Sequence, residues 1–240
     1  MSWKKTTAFF FFQSIRRSPN WNRFREFVSY YPRWMQFQAK NKTALEDELP
    51  WLNFPALDYM EQSIRPDFRI FEYGGGGSSL FFCKRAAEVI TVEHDPDWFS
   101  KLKSKVVEKG YSNWQGILQL PEKSSTSTII DQAVNSTFTS KSPEFVGFSF
   151  EKYVRQIECF PEGYFDLILI DGRARTSCIT VAISRLCRNG ILIVDNTERK
   201  YYLNAFKKEA IKGFTIESDY MAPIGYTPHF VKTSVFKKRF

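Results

Sequence analysis

Beyond residue 66 the chain alternates compact apolar runs with stretches whose apolar positions recur at helical spacing, and Gly, Pro, Asn or Asp stands at most of the changes. The compact runs predict strands at Ile70 to Tyr73, Val89 to Val92, Trp114 to Leu120, Tyr164 to Asp171 and Ile191 to Val194. Tyr164 to Asp171 is the clearest, because a nearly unbroken apolar run suits a central parallel strand covered on both faces. Helices are predicted between them: from Leu80 towards Arg85, Pro96 to Lys109, Phe150 to Phe160, Ala174 to Arg188 with Asn189-Gly190 as its cap, and Glu198 to Ile211. Asp95 and Pro96 supply an N-cap and a first helical residue. Phe214 to Asp219 and His229 to Phe236 follow as two strands with no helix between them. The alternation predicts an α/β fold with a doubly wound, mostly parallel, seven-stranded sheet.

Before residue 66 the pattern is different. Phe9 to Phe12, Trp21, Phe24, Phe27, Val28, Tyr31, Trp34 and Met35 recur at helical spacing and predict an aromatic-faced helical arm. Packing on the following domain or on a second subunit is the preferred reading of such a stripe, with a membrane surface as the alternative. Pro50, Pro55 and Pro66 punctuate a connector that contains a short helix over Ala56 to Ile64. The organisation read from this is an α-helical N-terminal extension, 1–65, and a larger domain, 66–240, interrupted by a polar insertion loop at 120–145. The Ser, Thr and Lys content of that loop leaves room for a strand or hairpin near Ile129-Ile130, and its use as a lid, an acceptor loop or a plain surface insertion stays open.

Charge sharpens the picture of the extension. Residues 1–42 carry nine basic side chains against Glu26 alone, which accounts for the whole net charge of +8. A basic arm on a neutral domain suits contact with anionic lipid headgroups, nucleic acid or an acidic protein, and a homodimer is also open. The four cysteines, Cys83, Cys159, Cys178 and Cys187, have no Cys-x-x-Cys spacing and lie in apolar segments, which predicts buried reduced thiols and a cytoplasmic, at most membrane-peripheral, protein. No apolar run is long enough for a transmembrane segment, and Ala8 to Phe12 is too short for the apolar core of an export signal.

Candidate chemistry concentrates in Glu72-Tyr73-Gly74-Gly75-Gly76-Gly77-Ser78-Ser79. A strand that breaks into glycines and resumes as a helix turns sharply beneath a ligand, and the helix start offers N–H groups to it. Glu93 closes the next strand about twenty residues on, where a carboxylate accepts the hydroxyls of an adenosine ribose. A dinucleotide site would carry Gly-x-Gly-x-x-Gly, but Ser79 holds its third glycine position and Glu72 would face a pyrophosphate unfavourably. A sulfonium cation with an amino-acid tail would instead be welcomed by Glu72.

Glu72, Gly74 and Gly76 match the Glu/Asp-x-Gly-x-Gly-x-Gly motif, with Ser78 where its last glycine is usual, and on these residues with Glu93 the chain resembles the class I S-adenosylmethionine-dependent methyltransferases. The resemblance implies a Rossmann-like sheet, S-adenosyl-L-methionine as cofactor, and Glu72, Tyr73, Gly74, Gly75, Gly76, Ser78, Glu93 and His94 as the residues that hold it. It also implies a helical extension placed over part of the cofactor or acceptor site. Asp171 and the Asp195-Asn196 pair are similar to the metal triad of catechol-type O-methyltransferases, a set of hard ligands suited to Mg²⁺. Those enzymes carry a lysine where this chain has Ala174. If no metal is used, Asp171 or Asp195 serves as the base, while Arg173 and Arg175 bind an acidic acceptor; His229 is a further candidate base. The expected activity is transfer of a methyl group to oxygen of a small-molecule or saccharide-type acceptor. An NAD-dependent oxidoreductase and a non-catalytic Rossmann-like interaction module are the alternatives.

Overall fold

The computed structural model describes residues 3–39, 42–124, 138–206 and 211–239. Helices α1 (Trp3–Arg17), α2 (Trp21–Ser29), α3 (Tyr31–Ala39), α4 (Ala44–Asp47) and α5 (Phe54–Ser63) come first. They lead into β1 (Arg69–Tyr73), α6 (Gly77–Cys83), β2 (Glu88–Glu93), α7 (Pro96–Glu108) and β3 (Trp114–Leu118). After the short β4 (Glu122–Lys123) and β5 (Phe148–Ser149) come α8 (Glu151–Arg155), β6 (Phe165–Ile170), α9 (Arg175–Arg185), β7 (Leu186–Val194), β8 (Phe214–Ala222) and β9 (Val231–Lys238).

Seven strands form one sheet in the order β3-β2-β1-β6-β7-β9-β8. Neighbours from β3 to β7 pair in parallel, and β9 runs antiparallel to both β7 and β8. Strand alternation builds the layers. Phe71, Tyr73, Ile168, Ile170, Leu192 and Val194 turn to the face covered by α8 and α9. Ile70, Leu167, Leu169, Ile191 and Ile193, one residue out of step, turn to the face covered by α5 and α6. Each fully buried side chain of this kind contributes about 1.5–3 kcal/mol over its exposed form. The connections leave β1 towards β2 on one side and return to β6 on the other, so the strand order reverses between β1 and β6. A crevice at such a reversal, beyond the carboxyl ends of the strands, is where doubly wound sheets bind ligands.

The N-terminal helices lie on the β8–β9 end of the sheet. Phe10, Phe27, Trp34 and Phe37 are buried against Phe54, Ala222 and Phe230. Polar contacts fix the docking: Tyr220 Oη donates to Glu26 (2.8 Å), Tyr30 Oη donates to Asp58 (2.7 Å), and the Arg23 guanidinium lies over the Tyr220 ring. Asn53 caps α5 by accepting from the Ala56 N–H, and its amide donates to the carbonyls of Tyr220 and Val231.

Several elements differ from the sequence reading. Helix α9 stops at Arg185 and passes directly into β7, because Leu186 is already extended and the positive φ of Asn189 (61°) is accommodated within the strand rather than as a helix cap. The helix expected over Glu198 to Ile211 begins as a 3-10 turn, Lys200–Ala205, and its middle lies outside the described residues. The hairpin expected near Ile129-Ile130 also lies outside them, although β4 and β5 pair antiparallel on either side of that segment. Cys83 and Cys178 are buried as expected of reduced thiols, whereas Cys159, at the end of a 3-10 turn, is exposed. His229 packs edge-on against Phe9.

Candidate active site

The glycine run forms the floor of the crevice, and the protein's own packing demands most of it. Gly74 has φ +86°, and a Cβ there would sit 2.8 Å from the Gly172 Cα, so the loops after β1 and β6 can touch only as glycines. A Cβ on Gly77 would come within 2.1 Å of the Ala44 carbonyl oxygen, so α6 starts directly under α4. The loop N–H groups are also spent internally: Gly74 donates to the Val92 carbonyl, Gly75 to Glu93 (3.0 Å) and Gly76 to the Ser79 hydroxyl (3.1 Å). The expectation that they are free for a ligand is corrected accordingly.

Glu72 is corrected too. Its alternation places it on the α6 face, fully buried, where Ser78, Ser79 (2.5 Å) and Thr91 (3.1 Å) all donate hydroxyl hydrogens to its carboxylate. Trp114 Nε1 in turn donates to Thr91 Oγ1 (2.9 Å). Glu72 therefore pins the loop from behind instead of facing a sulfonium, and Ser78, the departure from the glycine motif, is one of its donors. Burial lifts Glu72 from 4.5 to about 7, against the hydrogen bonds from the three hydroxyls. Tyr73 turns the other way, into the core beneath α8, and donates to the Val154 carbonyl (2.6 Å).

Glu93, at the tip of β2, lines the crevice on its β2 side. Its carboxylate accepts from the backbone N–H groups of Gly75, His94 (2.6 Å) and Asp95 (2.9 Å). Burial works to raise it, but donation from His94 and the backbone N–H groups outweighs burial and holds it below the usual carboxylate range. The His94 and Asp95 N–H groups converge on Oε1 and Oε2 takes only that of Gly75, so a lone pair of Oε2 remains, rigidly aimed, for a ligand hydroxyl. His94 is held by Arg173, whose Nε donates to its Nε2 (3.2 Å) and so leaves the proton on Nδ1, 2.6 Å from Glu93.

The wall opposite is made by the ends of β6 and β7. Arg175 is buried and donates to the carbonyls of Gly172 (3.0 Å), Asp195 (2.5 Å) and Asp171 (2.9 Å) and to the Asp171 carboxylate (2.9 Å). Its Nη1 is 3.7 Å from the Asp195 carboxylate. The residues expected to hold a divalent ion do not fit one: the cation between the two carboxylates is already a guanidinium with its donors committed, and Asn196 sits in a left-handed turn (φ 56°). Among the described residues no group of three or more His, Cys, Asp and Glu side chains is placed to hold a metal. Arg175 is likewise unavailable to an acidic acceptor. Asp195 is buried and accepts from Thr233 Oγ1 (2.6 Å), so its expected role as base is corrected to that of an anchor. Asp171 alone of the pair faces the crevice. Burial pushes both carboxyls upward, opposed by Arg175.

Glu93, His94, Gly74, Gly75, Asp171, Gly172, Arg173 and Arg175 thus enclose a cleft of about 300 Å³. Arg173 ties its rim to the segment before β5 by donating to Ser142 (2.8 Å) and Glu144 (3.2 Å) and lying over Phe145. No sequence feature singles out Phe145 or Phe150, whose rings pack on His94, or Trp98, whose indole N–H donates to the Gly75 carbonyl (2.7 Å). Thr91 carried a readable signal, a polar residue at an inward position of an apolar strand.

A chain with this sheet order and this crevice has the class I methyltransferase fold. Similar solved structures include an O-methyltransferase of Streptomyces achromogenes involved in tomaymycin synthesis, in complex with S-adenosylmethionine, at 14% identity and TM-score 0.55, covering 90% of this chain and 99% of that one. An rRNA methylase from Streptococcus thermophilus aligns at 12% identity and TM-score 0.52, covering 84% and 100%. A Streptococcus mutans protein in complex with S-adenosylhomocysteine aligns at 14% identity and TM-score 0.51, covering 75% and 94%. No family model matches the sequence, and no curated protein matches it.

Proposed function

We propose that the protein is an S-adenosylmethionine-dependent methyltransferase acting on oxygen of an acidic small-molecule or saccharide-type acceptor. The observation that carries the reading is the Glu93 carboxylate, locked by three backbone N–H groups and aimed into the crevice at the β1/β6 reversal. Glu93 receives the ribose hydroxyls, His94 and the Gly74-Gly75 backbone border the nucleoside, and Asp171 faces the acceptor. Bound there, S-adenosylmethionine supplies an electrophilic methyl group whose bonding pair returns to sulfur. Asp171 takes the proton from the acceptor hydroxyl as the new C–O bond forms, and Arg173 pairs with the acceptor's carboxylate or phosphate. Glu144, which now accepts from Arg173, is well exposed and exchanges readily for such a group. Since burial raises Asp171, activity should rise with pH above the ordinary carboxylate range of about 4, and Asp171→Asn should remove that limb.

The test is calorimetric titration with S-adenosylmethionine and, separately, NAD⁺, for the natural chain and Glu93→Ala. Binding of the sulfonium compound that falls at least tenfold in Glu93→Ala is expected, since a hydrogen bond to a charged group is worth about 1.5–3 kcal/mol. Binding of NAD⁺ alone would sink the reading.

A further inference from the structure

The N-terminal helices use one side to dock on the sheet and leave the other bare. On α1, Ala8, Phe12 and Ile15 occupy the face turned away from buried Phe10 and Ser14. Phe12 is 55% exposed and Ile15 66%, and Trp21, just across the turn at the start of α2, is 68% exposed. Exposure on this scale is unusual for large apolar side chains placed so near one another in the chain. Arg16 and Arg17 close α1, Arg25 stands one turn beyond Trp21 on α2, and all three are exposed. None of them makes an ion pair among the described residues, whereas Arg23 and Arg33 pair with Glu26 and Asp58.

We infer that this outer face binds the surface of an anionic phospholipid bilayer. The residue types divide the work as an interfacial helix pair requires: Phe12, Ile15 and Trp21 enter the headgroup and acyl boundary, and Arg16, Arg17 and Arg25 meet the lipid phosphates. A second copy of the chain fits poorly, because a two-fold contact would bring the same three arginines of each copy together and Glu26, the one acid in residues 1–42, is already engaged by Arg23 and Tyr220. Nucleic acid fits less well than lipid, because Ile15 has no ring on which a base could stack and its exposure is relieved only by an apolar medium. No helix among the described residues is long and apolar enough to cross a membrane, so the contact is peripheral.

The experiment is flotation of the whole chain with vesicles of phosphatidylcholine, with and without phosphatidylserine. Binding to the phosphatidylserine vesicles alone is expected. Arg16→Ala with Arg17→Ala should weaken partitioning roughly 30-fold, at about 1 kcal/mol per arginine near an anionic surface. Phe12→Ser, Ile15→Ser and Trp21→Ser together should abolish it while leaving the melting temperature unchanged, and single Trp21→Phe should remove a blue shift of emission on vesicle addition. Retention of full binding by the arginine pair or by the serine triple variant would overturn the inference. So would failure to bind either vesicle, binding of duplex DNA or RNA in place of lipid, or self-association by light scattering that the triple variant abolishes.

Discussion

Glu72 shows what one side chain does when it is removed from water and surrounded by hydroxyls. Its folded value of about 7 lies above the 4.5 of an exposed glutamate, so between those values the native state holds a proton that the unfolded chain releases. Stability from this group is complete below about pH 4.5 and is lost as the pH rises through 7, by up to about 3 kcal/mol. Glu72→Gln does not titrate, so its melting temperature should be flatter across that window than the natural chain's, as differential scanning calorimetry would show. Gly77→Ala is the sharper test of the loop. Its methyl would meet backbone oxygen of Ala44, which cannot swing aside, and a loss of about 1–3 kcal/mol is expected in urea denaturation. The carboxylates at strand tips were readable because strand ends and acidic residues are both sequence features. Their duties were not: whether Glu72 faces ligand or loop depends on which face of β1 it occupies, and Arg175 resembles a substrate arginine until β6 and β7 bring Asp171 and Asp195 around it.

At the level of elements, the alternation of apolar runs and helical periodicities was enough to place all seven strands and the sheet class, because parallel strands buried on both faces are written as unbroken apolar segments. It failed where local signals were overruled by neighbours. Asn189-Gly190 has ideal cap chemistry, but the pairing of Leu186 with Phe165 of β6 extends the strand back past it, with an irregularity in the register between there and Ile191. The aromatic helices α1 to α3 were visible as a stripe, yet the surface they cover, built from Ala222, Phe230 and Phe54, has no signature of its own. Trp34 is fully buried there and donates to the Thr227 carbonyl. Trp34→Ala should cost about 3–5 kcal/mol of stability. Because no residue of α1 to α3 lines the cleft, the dissociation constant for S-adenosylmethionine, measured below the lowered melting temperature, should stay within a few-fold of the natural chain's.

Across the molecule, one continuous set of contacts runs from the N-terminal region to the cleft. Thr233 on β9 donates to the Asp195 carboxylate, Arg175 binds the Asp195 carbonyl and Asp171, and Asn53 donates its backbone N–H to the Thr233 hydroxyl (3.4 Å). Thr233→Val keeps the shape but leaves a buried acceptor short of a donor, and a loss of about 1–3 kcal/mol is expected by chemical denaturation. The same change removes a hydrogen bond that lowers Asp195, so Asp195 should take up a proton at higher pH than in the natural chain, measurable as a shifted carboxyl resonance in the ¹³C spectrum.

The position of β9, between β7 and β8, also sets a schedule. A ribosome releases Phe10, Phe27 and Trp34 early, but the residues that cover them, Ala222 and Phe230, arrive only with the β8–β9 hairpin. At about 5–20 residues per second the wait is on the order of ten seconds or more. Throughout it the aromatic helices have only Phe54 and Asp58 of α5 to land on, and the wall of the cleft lacks the Thr233 hydroxyl that holds Asp195. A nascent chain of this kind is a natural client for chaperones that shield aromatic segments, and stalling its synthesis before β9 would leave a polypeptide with most of its sheet and no finished site.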